Sequence, residues 1–446
     1  MNSEDFVKFA LQIIVMLSIS LMFGQIMRRL KQPTILGELI GGIILGVTIF
    51  GALFPGAYSW LFQSSENVVV ARDAFIKMGM LFFMFTIGLE INISDLRDMG
   101  RNALIIGIIG TLLPIVAGIG LVYLIPKEFW GPLVQKHFFI FALFIGINLA
   151  NSANPVIARI LMDIGYLKDK IGTIIMAATV VDDVINWFLF ALILNVITPE
   201  QSAINFDFSI KIVLTIAFFI VTLLGRNFIY KALDWVRNRV VWPNGFIALT
   251  ACIILVFSSL TEFIGIHAFL GAFLVGIAVA GSSKEAYKAF KVIKCFSHGF
   301  FAPIYFVSIG MATNFAHNFD LLLVIFLIVI ACVTKFGSVL IGARLSGLKI
   351  NRQVIAIASG LNARGATGII LAGVGLANGL IDDRIFVAIF IMALVTSFMS
   401  GTMMNFFLTG NFRVKEITQG VNKEQVTSDL NLVEEEIAVA SEVTED

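Results

Sequence analysis

The stretch Ala-Ala-Thr-Val-Val-Asp-Asp-Val-Ile-Asn-Trp, residues 177–187, places two adjacent carboxylates inside an apolar run. The surrounding segment 171–196 is otherwise long and apolar enough to cross a lipid bilayer. An ionised carboxylate near the centre of a bilayer costs about 2.5–3.5 kcal/mol on insertion scales. Two in succession predict that Asp182 and Asp183 bind and release a cation or protons. The alternative is that the pair lines a wet cavity or holds a structural cation.

The composition of the chain is that of a membrane protein. Of its 446 residues, 58% are hydrophobic and 14% are charged, with a mean hydropathy of +0.94, whereas soluble domains carry about 25% charged residues. The net charge of +1 and the lack of a basic tract interleaved with aromatic residues argue against nucleic acid as a partner. Residues 1–8 carry no basic region ahead of the first apolar run, which is therefore predicted to be a retained helix.

Apolar runs of about 20 residues predict thirteen membrane-spanning helices. Their approximate bounds are 6–27, 34–53, 71–90, 103–125, 137–161, 171–197, 209–231, 245–263, 266–281, 297–313, 320–342, 354–377 and 384–409. The predicted fold class is an all-α membrane protein with a transmembrane domain over residues 1–410. An acidic tail, 411–446, is expected to be cytoplasmic, as a disordered segment or a loose surface helix.

Basic residues in the connections predict the orientation of the chain. They gather after the odd-numbered spans, while the alternate connections are nearly bare. Examples are Arg28 and Arg29 after the first span, Lys168 and Lys170 after the fifth, and Lys284, Lys288, Lys291 and Lys294 after the ninth. Because cytoplasmic connections carry the excess of positive charge, the N-terminus is predicted outside and the C-terminus in the cytoplasm of a cell membrane.

Two predicted spans are interrupted in mid-membrane. The fifth reads Gly-Ile-Asn-Leu-Ala-Asn-Ser-Ala-Asn-Pro over 146–155, and Pro155 predicts a break because it lacks a backbone donor and clashes with the preceding turn. The twelfth reads Ser-Gly-Leu-Asn-Ala-Arg-Gly-Ala-Thr-Gly over 359–368. Such backbone is tolerated at membrane depth only where it lines a cavity or is buried in protein. The alternative is a proline kink and a glycine-packed helix without function.

The two interrupted spans lie seven helices apart, which predicts an inverted repeat. If spans 2–6 and 9–13 are the repeats, the odd offset turns the second copy upside down relative to the first. Matched broken helices in two halves are the best sequence indication of a transporter's binding site.

Two basic residues are also predicted to be buried. Lys335 lies in the middle of segment 321–342, too central to reach either membrane surface. An ammonium group at this depth needs a carboxylate partner to stay charged, and Asp182 or Asp183 is the predicted partner. Arg364 in the second break is expected to neutralise helix C-terminal carbonyls rather than to bind an anion.

Eight stretches between residues 10 and 410 carry a family resemblance. They are PTILGELIGGIILG (33–46), FFMFTIGLE (82–90), NPVIARIL (154–161), AATVVDDVINW (177–187), HAFLGAFLVG (267–276), FAPIYFVSIG (301–310), TKFG (334–337) and GLNARG (360–365). In this order they resemble the monovalent cation:proton antiporter-2 family, which includes sodium/proton and potassium/proton exchangers. A single stretch would be weak, but the ordered set makes chance a poor explanation.

The resemblance implies a homodimer of thirteen-helix subunits, each with a dimerisation domain and a core domain with two crossed broken helices. It implies that Asp183 is the principal ligand of the transported monovalent cation and of the proton, and that Asp182 pairs with Lys335. Polar residues at the first break would add neutral oxygen ligands, which suit a hard cation such as Na⁺. These residues are Asn151, Ser152 and Asn154.

The function implied is antiport of Na⁺, or of Li⁺ or K⁺, against H⁺ across the bilayer, electrogenic and serving pH homeostasis. No enzyme activity and no cofactor are expected. Many relatives carry an acid shortly after the Asn-Ala-Arg-Gly run, where this chain has Thr367 and Gly368. No G-x-G-x-x-G unit follows the last span, so nucleotide gating of the Kef type is not expected from this chain. The alternatives are a K⁺/H⁺ antiporter and a sodium-coupled solute symporter.

Overall fold

Every regular element in the described part of the chain is a helix. The computed structural model describes residues 2–29, 34–63, 65–90, 100–131, 138–167, 169–197, 244–264, 268–280 and 284–410, and separate positions between 210 and 231. Much of the seventh predicted span, 209–231, and the whole acidic tail, 411–446, lie outside the described residues.

The helices follow the apolar runs of the sequence. In the first half they are α1 (Ser3–Arg29), α2 (Thr34–Leu45), α3 (Phe50–Leu53), α4 (Pro55–Phe62), α5 (Glu66–Glu90), α6 (Arg101–Leu124), α7 (Lys127–Trp130), α8 (Phe138–Ala150), α9 (Asn154–Asp163) and α10 (Lys170–Ile197). In the second half they are α11 (Asn244–Phe263), α12 (Ala268–Val279), α13 (Lys284–Phe296), α14 (Ala302–Ala312), α15 (Leu321–Leu345), α16 (Arg352–Leu361), α17 (Ala366–Ala377) and α18 (Asp383–Thr409). Eight stretches in the described chain are long and apolar enough to cross a membrane. The predicted all-α membrane fold is confirmed, and the count of thirteen spans stays a prediction.

Short polar residues set the ends of three helices in the second half. Asp320, Asn351 and Asp382 precede α15, α16 and α18, and each side chain accepts a hydrogen bond from the backbone N–H three residues on, at 3.1, 3.0 and 2.9 Å. These bonds satisfy donors that a helix leaves unpaired at its N-terminus. Gly410 ends α18 in the left-handed region, with φ of +77°.

Both broken helices are present, but the first breaks before the proline that was expected to break it. Residues 151–153 are non-helical, with Ala153 extended, and Pro155 lies in the first turn of α9, where a missing N–H costs nothing. The second break covers 363–365, between α16 and α17. The two breaks cross, because Ala153 N donates to Ala363 O at 2.8 Å and Ser152 Oγ donates to Leu361 O at 2.7 Å.

The segment expected to connect the ninth and tenth spans is a helix instead. The lysines assigned to that connection fall within α13, which continues through a π-helix, Ser297–Phe301, into α14. Phe290 and Ile293 of α13 are buried while Lys291 is exposed. The segment is therefore amphipathic, with apolar residues at helical spacing, and its lysines obscured this period in the sequence.

Two close helix pairs relate the two halves of the chain. α2 packs on α14, and α5 packs on α12. An ideal Cβ on Gly42 would lie 2.9 Å from Gly310 Cα, and one on Gly88 would lie 3.0 Å from Gly276 Cα. Under the predicted repeat, α2 corresponds to α12 and α5 to α14, so the two pairs are equivalent. Glycine permits this approach because it has no side chain.

We expect the substitution Gly88→Ala to lower thermal stability. The added Cβ would lie 2.1 Å from the carbonyl oxygen of Phe273, so backbone must move, at a cost of about 1–3 kcal/mol. The matched control is Gly120→Ala in α6, where nothing lies within 4 Å and alanine is the better helix former. Thermal unfolding of both variants in detergent, followed by tryptophan fluorescence, measures the difference. Equal melting temperatures would show that α5 and α12 do not need this close contact.

Candidate functional site

Asp182 lies in the middle of α10 and is held from two sides. Its side chain is almost fully buried, at 1% exposure. Thr111 Oγ1 of α6 donates to Asp182 Oδ1 at 2.6 Å, and Lys335 Nζ of α15 lies 3.4 Å from the same oxygen. Of the two aspartates, Asp182 is therefore the one that the ammonium group contacts.

Lys335 has three acceptors around its ammonium group. Besides Asp182, they are the carbonyl oxygen of Gly110, at 3.1 Å, and that of Ala150. An ammonium carries three donors, so each proton has an acceptor. Ala150 is the last residue of α8, where carbonyl oxygens lack partners within the helix and a cation is favourable. Lys335 thereby ties the first broken helix to Asp182.

Arg364 donates hydrogen bonds to oxygens near the C-terminal ends of α8 and α16, the first halves of the two broken helices. Its Nη2 donates to Leu149 O at 2.6 Å and to Ala331 O at 2.9 Å, and its Nη1 donates to Asn362 Oδ1 at 2.8 Å. Leu149 lies near the C-terminus of α8 and Asn362 follows α16. The guanidinium thus compensates carbonyl oxygens where the helices stop. None of its hydrogen bonds in the described structure goes to an aspartate.

Asp183 faces a different direction from Asp182. It is 8% exposed, and its buried Oδ1 has no hydrogen-bond partner among the described residues. One turn further on the same face, Trp187 packs against Phe273 of α12, with ring centroids 5.3 Å apart. A small cleft lined by Trp187, Phe273, Val374 and other apolar residues lies there. Asp183 therefore lies on the face of α10 that carries Trp187, which contacts α12.

The polar residues of the first break occupy different roles. Ser152 is buried and uses its hydroxyl proton in the crossing contact with Leu361. Asn151 is fully buried, and neither its amide oxygen nor its amide nitrogen has a partner in the described chain. Asn154 starts α9, and its buried Oδ1 is likewise unpaired within the described residues. Two amide oxygens are thus left available for other ligands near the crossing.

Sequence reasoning missed three polar residues near this site. Thr111 gave no signal, because a threonine in an apolar helix commonly bonds the carbonyl one turn back. Its Oγ1 does lie 2.7 Å from Gly107 O, but its one proton goes to the stronger acceptor, the Asp182 carboxylate. Asn186 lies one turn after Asp182, and Asn148 lies one turn before Asn151, so helical spacing was a signal for both. Asn148 is 2% exposed and Asn186 is completely buried.

These residues form an oxygen-rich, poorly solvated site at the crossing of two half-helices. It combines one carboxylate held by a lysine and a hydroxyl with a second carboxylate that has an unpaired oxygen. Such a site can exchange a proton for a hard cation, because both bind carboxylate oxygen. Discontinuous helices around a central ion site define the class of inverted-repeat secondary transporters.

The chain belongs to the sodium/hydrogen exchanger family. The family model described as "Sodium/hydrogen exchanger, transmembrane" matches residues 14–410. Among solved structures, the sodium proton antiporter MjNhaP1 from Methanocaldococcus jannaschii aligns with a TM-score of 0.60 over 93% of this chain and 100% of that chain. At 13% identity, this similarity shows a shared fold.

Similar proteins by sequence are cation/proton antiporters. Na(+)/H(+) antiporter NhaS4 of Synechocystis sp. is 28% identical over 406 residues, which cover 90% of this chain and 98% of that protein. Cation/H(+) antiporter 18 of Arabidopsis thaliana is 28% identical over 87% of this chain, and K(+)/H(+) antiporter 1 of Saccharomyces cerevisiae is 28% identical over 86%. The chain spans only 48% and 44% of those two proteins. The relatives therefore support cation:proton exchange without selecting the cation.

Proposed function

We propose that this protein exchanges Na⁺ for H⁺ by alternating access, with Asp183 as the group that binds either ion. The observation that carries the proposal is the unequal setting of the two aspartates. Both aspartates have one buried oxygen without a partner in the described chain, but Lys335 and Thr111 engage the other oxygen of Asp182, whereas no described residue donates a hydrogen bond to Asp183. A carboxylate with a free oxygen can accept a proton or a cation in turn.

The other residues support this exchange. Asn151, Ser152 and Asn154 supply neutral oxygens to the cation. Asp182 and Lys335 set the net charge of the site when the cation is bound. Arg364 braces the carbonyl oxygens of the broken helices. Residues 1–410 act as the exchanger domain of a homodimer in the cell membrane, with the N-terminus outside and the tail from residue 411 in the cytoplasm.

A fluorescence assay on proteoliposomes that contain the purified chain tests the proposal. With a pH-sensitive dye inside, Na⁺ added outside should evoke a pH change without any added solute. A larger response to K⁺ than to Na⁺ would favour the K⁺/H⁺ alternative, for which the yeast relative is a precedent by name. A response that requires an added organic solute would favour a symporter, and no response to any cation would refute exchange.

We expect the apparent cation affinity to weaken as the pH falls. The proton and the cation compete for the same carboxylate, so a higher proton concentration leaves fewer sites open to the cation. Where Asp183 is mostly protonated, the apparent KM for Na⁺ should rise about tenfold for each unit by which the pH falls, when one proton competes with one cation. Initial rates in proteoliposomes between pH 6 and 9 measure this dependence. A constant apparent KM over that range would exclude a shared site.

A further inference from the structure

Three buried asparagines near the aspartates carry polar atoms that no described residue satisfies. Asn151 and Asn186 each leave both amide atoms unpaired, and Asn148 leaves its Oδ1 unpaired. Asn148 Nδ2 donates to the Phe144 carbonyl oxygen at 3.0 Å, which fixes its amide orientation because only the NH₂ group can donate. All three side chains are at most 2% exposed.

Two contacts between α8 and α10, one on each side of the asparagines, place Asn186 level with Asn148 along the helices. Lys335 Nζ joins Asp182 of α10 to the carbonyl of Ala150, at the end of α8. Eight residues further along α10, the Phe190 ring lies 6.3 Å from that of Phe144 on α8. The two helices are therefore antiparallel neighbours. Asn186 lies one turn before Phe190 and Asn148 one turn after Phe144, so both occupy the facing stripes between these two contacts.

A glycine of α17 forms the third wall. An ideal Cβ on Gly368 would lie 3.0 Å from Asn151 Nδ2 and 3.9 Å from Asn148 Oδ1. Seven residues further on, a Cβ on Gly375 would lie 2.7 Å from the Phe144 ring. α17 therefore runs along the same stripe of α8. The absence of a side chain at Gly368 leaves room beside the amides.

An amide buried without a hydrogen bond costs about 1–3 kcal/mol. Five such atoms on three neighbouring side chains are a large cost unless a ligand offsets it. Three of the five atoms are neutral oxygens, the ligand type that a hard monovalent cation accepts. The carboxylates of Asp182 and Asp183 lie on the same helix as Asn186, within one turn of it.

We propose that Asn148, Asn151 and Asn186, with the space at Gly368, form a second, uncharged subsite that coordinates the partly dehydrated monovalent cation beside the aspartate pair. This amide cradle rests on the proposed exchange function and deepens it. The cradle supplies neutral oxygens to the cation once Asp183 has released its proton, and the size of the cradle sets the order of preference among Li⁺, Na⁺ and K⁺.

The test begins with Asn186→Leu, which keeps the branched shape and the number of side-chain heavy atoms and removes the amide. The apparent KM for the preferred cation should rise about tenfold, as for the loss of about one good ligand, while the maximal rate and its pH dependence change little. Asn148→Leu should act in the same direction, and Asn186→Ser, which restores an oxygen, should recover part of the affinity. The control is Asn405→Leu, which alters a buried asparagine on α18. Unchanged KM values and an unchanged cation order in the first two variants would overturn the cradle.

Gly368→Ala tests the role of the space. The added methyl group reaches the amides of Asn148 and Asn151, so the order of preference among Li⁺, Na⁺ and K⁺ should shift toward the smaller ions. Gly401→Ala is the matched control, because its nearest neighbour is a side-chain atom of Ile160 at an ordinary 3.6 Å. The same order in wild type and Gly368→Ala would show that the space holds water and does not discriminate among cations.

Thermal stability separates failure of the cradle from failure of the proposed function. In choline chloride, Asn186→Leu should melt above wild type, because an unsatisfied buried amide has gone. Replacing choline by Na⁺ at equal ionic strength should raise the melting temperature of wild type more than that of Asn186→Leu. If wild type exchanges Na⁺ but both proteins gain equally, the cradle is wrong and the exchange function stands. If wild type neither exchanges any cation nor gains stability, both are wrong.

Discussion

Asp183→Asn is expected to reduce cation-evoked proton movement to the level of protein-free liposomes. Asparagine keeps the shape of aspartate but cannot bind and release a proton, so one position no longer serves both ions. Asp183 has a buried oxygen without a partner in the described chain, so the loss of charge breaks no hydrogen bond at that atom. The dye assay in proteoliposomes, over pH 6 to 9 and with Li⁺, Na⁺ and K⁺, measures the effect.

Two controls show whether a loss of activity is specific. Removing a buried charge without a partner relieves desolvation, so Asp183→Asn should melt at or above the wild-type temperature. Asp382→Asn makes the same change at the N-cap of α18, where asparagine caps as well as aspartate, and should exchange normally. Proton-coupled exchange in a well-folded Asp183→Asn protein would remove Asp183 from the proposed mechanism.

The sequence predicted the charged centre of this protein more completely than its polar surroundings. Asp182, Asp183 and Lys335 stand out because charges in an apolar run are costly and therefore rare. The residue pattern alone left the partner of Lys335 open, since adjacent aspartates differ only in the face of α10 that they occupy; Asp182 was implied only by the family resemblance. That choice depends on α6, which brings Thr111 to Asp182 across 71 positions of the chain.

The breaks in the helices were predicted in kind but not in position. The sequence predicts that Pro155 causes the first break, yet Pro155 lies in the first turn of α9, and the non-helical residues lie at 151–153. The reason is tertiary: the extended backbone is paired with the second break, as in the bond from Ala153 N to Ala363 O. No local pattern specifies a bond between segments 210 residues apart. Likewise, the helix α13 was missed because its lysines suggested a connection.

Exchange is expected to respond to membrane voltage, with Lys335 as the residue that makes it do so. If loading one Na⁺ displaces one proton from Asp183 and one from Lys335, each cycle moves two protons against one Na⁺ and carries one net charge. One charge couples the cycle to the membrane potential by about 2.3 kcal/mol per 100 mV. Liposomes with a potassium-diffusion potential of either sign should therefore change both the rate and the end point of Na⁺ movement.

The contacts of Lys335 allow the ammonium group to withdraw from Asp182, and they suggest the variant that decides the question. Its 3.4 Å contact with Asp182 is longer than the 2.6 Å bond that Thr111 donates to the same oxygen, so the carboxylate keeps a donor when the ammonium withdraws. Lys335→Arg retains a positive charge but cannot give up its proton, because guanidinium stays protonated in proteins. It should still exchange Na⁺ for H⁺, with the voltage response lost.

The competing view is that Lys335 only braces Asp182 and the breaks, which makes exchange one to one. On that view wild type and Lys335→Arg ignore the imposed potential alike, and a voltage response that survives in Lys335→Arg would assign the second proton to another group.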